Sequence, residues 1–188
     1  MANPTHIPTD EELIHQFQST AELKCLESLF ARHMTRIRQL IFPIVLHAGD
    51  ADDLTQEVFI RAARGLHGFR GAARFSTWLN RIAINTSLTF LRSRRRKPAF
   101  AGEEELAQQP APHASPHAEA SQGELDAAIQ SALGRLPPDL RAAITLTSIQ
   151  GMSPAEAAAA TGSLTATLYW RVHQARKQLR AELKDYLP

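Results

Sequence analysis

The stretch SPAEAAAATGSLTATLYWRVHQARKQLR, residues 153–180, predicts two helices joined by a tight turn. Ser153 and Glu156 have the spacing of a capping box, and the proline between them suits a first helical position. Gly162 lies where a glycine typically ends such a helix. A second helix, predicted from about residue 165 to residue 186, carries a series of basic side chains. Its predicted buried face consists of Leu168, Val172, Ala175 and Leu179. This arrangement is typical of a helix-turn-helix, whose second helix enters the major groove of DNA.

A second basic segment ends a predicted upstream helix that runs from Phe75 to about Arg95. Residues 92–97, RSRRRK, carry five positive charges. Such charges can simply complement a helix C-terminus, but five exceed that need and favour phosphate binding. One stripe of this helix is predicted to be core, namely Phe75, Leu79, Ile82, Thr86 and Phe90. A second stripe has the character of a nucleic-acid surface, namely Arg74, Trp78, Arg81, Asn85 and Arg92.

Trp78 is the aromatic residue within that second stripe. Its ring fits two roles equally, a half-buried core position or a platform on which an unpaired base stacks.

Three more helices are predicted before residue 75. Thr9 and Glu12 form a capping box, so a short helix begins there. Apolar residues at helical spacing then predict a long helix over residues 23–44, which Pro43 should kink or end. A third helix is predicted to start near Asp50, where carboxylates favour a first turn. After residue 123, two helices are predicted at about 124–134 and 139–149.

Charge and proline content divide the 188-residue chain into three parts. Residues 50–97 carry ten Lys and Arg against four Asp and Glu, and residues 125–188 carry seven against five. Between them, residues 98–124 carry five acidic residues and no basic one. The prolines and absent periodicity of residues 98–123 predict a flexible linker. The predicted fold class is therefore all-α, with two small helical domains, residues 1–97 and 124–188, joined by that linker.

Several classes of protein and site are disfavoured by the sequence. A single cysteine, Cys25, excludes an internal disulfide and favours the cytoplasm. The longest apolar run, residues 40–46, is far too short to span a bilayer, so no membrane insertion is expected. No catalytic constellation and no cofactor motif is apparent.

Two groups of residues have side chains that could ligate a metal, and the sequence favours neither as a metal site. The acidic cluster of Asp50, Asp52, Asp53 and Glu57 opens a helix, and no second cluster faces it in sequence. A solvated acidic helix start explains it better than a divalent-metal site. His113 and His117 need a helix between them to share a metal, and the nearby prolines disfavour one.

Two blocks of sequence resemble a known family. The segments DADDLTQEVFIR at 50–61, FRG at 69–71, FSTWL at 75–79, RIAIN at 81–85 and the arginine tract look like region 2 of the extracytoplasmic-function (ECF) sigma factors of bacterial RNA polymerase. The segments LPP at 136–138, GMSPAE at 151–156 and RVHQARK at 171–177 are similar to their region 4. The blocks occur in family order, with a linker between them.

The resemblance implies three sets of site residues. Polymerase binding, on the clamp helices of the beta-prime subunit, falls to Asp52, Asp53, Gln56 and Glu57. Capture of a flipped base of the minus-ten element, and contact with the DNA around it, falls to Phe69, Arg70, Gly71, Ala72, Ala73, Phe75, Trp78, Arg81, Asn85 and Arg92. Contact with the minus-thirty-five element falls to Thr165, Thr167, Tyr169, Trp170, Arg171, His173, Arg176 and Lys177. The Tyr169-Trp170 pair departs from the Lys-Ser often found in the family, which puts the expected minus-thirty-five sequence in doubt.

The implied function is promoter recognition without catalysis. The expected partners are core RNA polymerase, through its beta-prime clamp helices and beta flap, promoter DNA and an anti-sigma factor. A stand-alone helix-turn-helix regulator is the alternative, and it predicts dimers and palindromic sites. An enzyme such as a nuclease is a more distant alternative.

Overall fold

A computed structural model describes residues 7–96 and 119–186, and within these ranges all regular structure is helical. The helices are α1 (Asp10–Thr20), α2 (Leu23–Val45), α3 (Ala48–Leu66), α4 (Phe75–Arg96), α5 (Glu119–Arg135), α6 (Pro138–Ile144), α7 (Pro154–Thr161) and α8 (Thr165–Glu182). None of these helices combines the length and apolar composition that crossing a membrane requires.

Both capping boxes predicted from the sequence are confirmed. The Glu12 amide donates to the Thr9 hydroxyl at 3.2 Å, and the Glu12 carboxylate accepts from the Thr9 amide at 2.7 Å. Ser153 and Glu156 repeat this exchange at the start of α7. Gly162 ends α7 with a φ of 66°, in the left-handed region where glycine is favoured.

Two helices begin earlier than predicted. The ring of His47 accepts a hydrogen bond from the Asp50 amide at 3.1 Å, and this cap starts α3 at Ala48 rather than near Asp50. Helix α5 begins at Glu119, so residues 119–123 are helical rather than part of the predicted linker. No proline lies after residue 116 in that stretch, and an acidic residue suits a helix N-terminus. The rest of the predicted linker, residues 98–118, lies outside the described residues.

Two helices also end differently from the prediction. The α-helix predicted to reach Ile149 stops at Ile144 and continues as one π turn, Thr145–Ile149. The Gln150 amide accordingly donates to the carbonyl of Thr145, five residues back, at 2.9 Å. Helix α8 stops at Glu182 and is followed by a short 3-10 turn, Lys184–Tyr186.

The first four helices form a bundle around one apolar core. Its largest fully buried side chains include Leu29, Ile41, Val58, Leu79 and Ile84. Burying one such side chain contributes roughly 1.5–3 kcal/mol, so α1 to α4 hold each other firmly.

The second group of helices packs directly against the first. Helix α4 contacts α7 and α6, and α2 contacts α6. Ala157, Ala158 and Ala160 of α7 are buried in the same apolar cluster as the side chains of the first bundle. Because alanine side chains are small, they allow α7 to approach α4 closely.

Polar contacts at the C-terminal end of α2 strengthen this packing. Pro43 has no amide hydrogen, so the carbonyl of Gln39 lacks its helical donor. The side chain of Gln150, from the second group of helices, donates to that carbonyl at 3.4 Å. Arg141 is buried and donates from Nη1 to the carbonyl of Ile44 at 3.0 Å. The end of α2 therefore offers backbone carbonyls as hydrogen-bond acceptors to side chains from α6 and from the turn that follows it.

Candidate nucleic-acid and polymerase interfaces

The acidic side chains of α3 lie on the face opposite its buried residues. Asp52, Asp53 and Gln56 are exposed and Glu57 is half-buried, while Ala51, Leu54, Thr55 and Val58 point inward. Arg38 donates to Asp52 at 2.5 Å, and this hydrogen bond lowers the pKa of the Asp52 carboxyl. Arg61 donates to Glu57 at 2.6 Å from one turn along the same helix. The face is thus a solvent-exposed acidic surface whose shape is set by a well-packed helix.

An aromatic cluster joins the end of α3 to the start of α4. The ring of Phe69 lies 5.2 Å from that of Trp78 and 6.0 Å from that of Phe75. Phe75 is only 2% exposed, which confirms its predicted place in the core, and its contact with DNA stays a prediction. Trp78 is half-buried and packs over Gly65, where an added Cβ would lie 3.1 Å from the ring. This half-buried position is compatible with both roles predicted for Trp78, a core position and a platform for an unpaired base.

The loop between these helices presents a run of exposed residues, 70–74, which includes Arg70, Gly71, Ala72 and Ala73. Gly71 has a φ of 69°, which an L side chain adopts only with strain. Behind the loop, the side-chain amide of Gln18 donates to the carbonyls of both Leu66 and Phe69, at 2.9 Å each. The loop is therefore open on one side and fixed to α1 on the other.

The exposed face of α4 continues from this loop. Arg81, Asn85 and Arg92 are all exposed, as the stripe predicted. Arg92 donates to Asp139 of α6 at 3.0 Å, and Arg94 donates to Asp50 of α3 at 2.9 Å. Two arginines of the tract therefore form ion pairs with carboxylates of the same chain. The side chains of the last three residues of the tract lie outside the described part of the chain.

Helix α8 has one buried and one exposed face. Leu168 and Ala175 are buried and Val172 and Leu179 are partly buried, which confirms the predicted inner face. The exposed side chains are Thr165, Tyr169, Trp170, His173, Arg176 and Lys177, whereas Thr167 and Arg171 are half-buried. Tyr169 is 60% exposed and Trp170 is 59% exposed. Such exposure of two large aromatic side chains is typical of a binding surface.

A shallow groove runs along one edge of this surface. Trp170 and Arg171 line it from α8, and Pro137, Asp139 and Leu140 line it from the start of α6. Arg171 therefore lies at the edge of the groove, while Trp170 also projects into solvent.

No metal site is found in the residues that the structure describes. In residues 7–96 and 119–186, no three His, Cys, Asp or Glu side chains lie close enough to hold an ion. Asp50 and Asp52 each pair with an arginine, in agreement with a solvated acidic helix start. His113 and His117 lie outside the described ranges.

Comparison with known proteins identifies both halves of the chain. Residues 29–97 match the family model of sigma-70 region 2, and residues 126–179 match that of sigma-70 region 4. The ECF RNA polymerase sigma factor SigE of Mycolicibacterium smegmatis is 34% identical over 184 residues, covering 98% of this chain and 70% of that relative. The chain belongs to the ECF sigma factors. Sigma factors are non-enzymatic transcription initiation factors.

Solved structures agree with this assignment. CnrH, in complex with the cytosolic domain of CnrY, has a TM-score of 0.65 and 29% identity, covering 94% of this chain and 97% of that one. The sigma factor RpoE of Bartonella quintana, in complex with the anti-sigma factor NepR, has a TM-score of 0.64 and 25% identity, covering 84% and 96%. In each of these two structures the similar protein is bound to a second protein.

Carboxylates of region 4 face arginines of region 2 in this ECF sigma factor. Asp139 accepts from Arg92. Hydrogen bonds from the side chain and backbone of Ser153 lower the pKa of Glu156, and the positive charge of Arg74 lowers it further. Arg74 and Arg92 flank the α4 surface at its two ends, so region 4 brings negative charge to both ends of that surface.

Sequence reasoning overlooked three residues that shape these surfaces. Gln18 fixes the loop after α3, Gly65 makes room for Trp78, and Arg141 joins region 4 to α2. Each acts on a residue at least 13 positions away, and no periodic or capping pattern marks such contacts. A buried arginine that, among the described residues, bonds backbone carbonyls and no carboxylate is especially unexpected, since burial lowers the pKa of Arg141 and disfavours its charge.

Proposed function

We propose that this ECF sigma factor recognises promoters through three exposed surfaces. One surface binds core RNA polymerase, one binds the minus-ten element and one binds the minus-thirty-five element. Region 2 would comprise residues 1–97 and region 4 residues 124–188, the latter extended to residue 119 by α5. The observation that carries the proposal is that the polar faces of α3, α4 and α8 stay exposed when the two regions pack together.

The acidic face of α3 is proposed to bind core RNA polymerase. Asp52, Asp53, Gln56 and Glu57 would dock on the beta-prime clamp helices, and region 4 would contact the beta flap. Asp53 forms no ion pair in the described residues, which leaves its charge free for a basic partner, whereas Arg38 partly neutralises Asp52. Charge complementarity of this kind sets specificity and speeds association.

The loop after α3 and the exposed face of α4 are proposed to hold the minus-ten element. Phe69, Arg70, Gly71, Ala72 and Ala73 would form the pocket for a flipped base. Trp78, Arg81, Asn85 and Arg92 would line the path of the strand. Stacking of a base on an aromatic side chain is worth about 1–3 kcal/mol, which offsets much of the cost of unstacking it.

The exposed face of α8 is proposed to read the minus-thirty-five element. Thr165, Thr167, Tyr169, Trp170, Arg171 and His173 lie toward the end of the helix that normally meets base edges. Arg176 and Lys177 lie further along and would contact phosphates. The two exposed aromatic rings would add apolar contacts to bases in the groove.

DNA binding is proposed to replace contacts that the chain makes with itself. Arg92 and Arg74 face carboxylates of region 4 in the free protein. On a promoter, phosphates would take the place of these carboxylates, which requires region 4 to move away from region 2. An anti-sigma factor, as in the RpoE complex with NepR, would be a further partner that competes for these surfaces.

This role needs no catalysis by the chain itself and no cofactor. A protein that acts with bacterial RNA polymerase on DNA works in the cytoplasm, and we place this one there.

Reconstitution with core RNA polymerase tests the proposal. Purified core and this protein should start transcripts at defined positions on promoter fragments, whereas core alone should not. Binding to palindromic DNA as a dimer, without any stimulation of core, would instead support a stand-alone helix-turn-helix regulator.

A further inference from the structure

Helix α1 lies outside the segment that matches sigma-70 region 2, which begins at residue 29. Nevertheless it makes a specific contact with the loop that follows α3. The side-chain amide of Gln18 donates to the carbonyl of Leu66 and to that of Phe69, both at 2.9 Å, across 48 and 51 residues of sequence.

These two carbonyls occupy critical points of the chain. Leu66 is the last residue of α3, and its carbonyl also accepts a hydrogen bond from the Phe69 amide at 3.1 Å, so Gln18 adds a second donor there. Phe69 is the last residue before the exposed loop residues 70–74, and its ring packs against Trp78. One side chain therefore fixes both the end of the helix and the base of the exposed loop.

Helix α1 is itself firmly held, so Gln18 is a rigid support. Asp10 accepts hydrogen bonds from Arg32 at 3.2 Å and shares another with His33 at 2.7 Å, both from α2. At the other end, Phe17 is buried and its ring lies 4.9 Å from that of His67 in the loop. The Gln18 amide is thus held in place from both ends of α1.

We propose that Gln18 is a positioning residue for minus-ten recognition. By fixing the backbone at Phe69, it holds the loop in the conformation that accepts an unpaired base, so that binding does not have to order the loop. Gln18 does not touch DNA in this proposal. The proposal rests on the function assigned above to the loop.

The test compares Gln18→Met with Gln16→Met in complete holoenzyme. Methionine keeps the length of the side chain but donates no hydrogen bond, and Gln16 lies on the exposed side of the same helix. The affinity for a single-stranded minus-ten oligonucleotide and the rate of open-complex formation should fall about 5- to 150-fold for Gln18→Met, as expected from losing two hydrogen bonds. The Gln16→Met protein should match the unmodified one.

Three measurements separate positioning from a merely structural role. The closed-complex equilibrium constant and the affinity for core should stay unchanged for Gln18→Met, and a premelted template should not restore the affinity for the unpaired strand. A parallel loss of core affinity would overturn the proposal, because it would mean that the whole of region 2 is disturbed. Gln18→Lys restores a hydrogen-bond donor of similar reach and should recover affinity for the unpaired strand. Gln16→Lys adds the same charge at an exposed position, so the recovery in Gln18→Lys should exceed any gain seen in Gln16→Lys.

The Phe69→Ala variant distinguishes a failure of the Gln18 proposal from a failure of the function assigned to the loop. If Phe69→Ala weakens binding to the unpaired strand and Gln18→Met does not, the positioning proposal is wrong and the loop assignment stands. If neither variant weakens it, the loop assignment is wrong and the positioning proposal falls with it.

Discussion

Replacing Arg141 by methionine should loosen the packing of region 4 on region 2. Arg141 Nη1 donates to the buried carbonyl of Ile44 at the end of α2, and Nη2 donates to the carbonyls of Gly134 and Leu136 within region 4. Only the bond to Ile44 crosses between the regions, so it sets the effect on docking. Methionine retains most of the aliphatic packing but leaves that carbonyl without its donor.

The expected magnitude follows from the type of bond. A hydrogen bond to a charged group contributes about 1.5–3 kcal/mol, so docking should weaken roughly 10- to 150-fold. Burial of the guanidinium works in the opposite direction, because it lowers the pKa of Arg141 and so disfavours the charged form. We therefore expect docking to weaken by a factor in the lower part of this 10- to 150-fold range.

Energy transfer between two dyes measures the docking. Thr35→Cys on α2 and Ala181→Cys on α8 are exposed labelling sites, used in a Cys25→Ser background because Cys25 is the native cysteine. Arg141→Met should shift the population toward low transfer efficiency. Arg135→Met is the matched control, since Arg135 is exposed and pairs only with Glu182 within region 4.

If Arg141→Met and Arg135→Met leave the same fraction of molecules docked, Arg141 does not hold region 4 on region 2. A lower melting temperature of region 4 with unchanged energy transfer would lead to the same conclusion, because it would assign Arg141 to region 4 alone.

Three further substitutions test the individual surfaces. Asp53→Lys should change stability by about 0.5 kcal/mol or less, yet sharply reduce affinity for core in a competition assay, since it creates a repulsive contact; an unchanged affinity would remove this face from the account. Asn85→Ala should spare core binding and slow open-complex formation, and a premelted template should restore activity in part; equal loss of core binding would make Asn85 structural. Gly65→Ala places a Cβ 3.1 Å from the Trp78 ring and should shift its fluorescence, whereas Gly68→Ala should not.

Local signals were sufficient to predict most of the helices. Capping at Thr9 and at Ser153 involves residues three positions apart, so the sequence alone defined where α1 and α7 begin. The inner face of α8, with Leu168 and Ala175, followed from helical periodicity in the same way.

Features that depend on distant residues were not predictable in this way. Helix α3 starts two residues before Asp50 because a histidine, His47, serves as its cap, and histidine is not among the common capping residues. Phe75 has both the spacing of a core residue and the position of a DNA contact, and only its neighbours in space decide that it is buried. The bonds made by Gln18 and the bond from Arg141 to Ile44 span 48 to 97 residues and leave no trace in the local pattern.

The most direct test of the central claim is a selection of active promoters from a randomised library by core polymerase carrying this protein. The selected promoters should share two sequence motifs at a fixed spacing. Arg171→Ala should weaken preference only at the upstream motif, by about 1–3 kcal/mol at one or two base pairs, and Asn85→Ala should act only through the downstream motif. A single palindromic motif, or two variants that weaken the same motif, would contradict the assignment of the two DNA elements to the two regions.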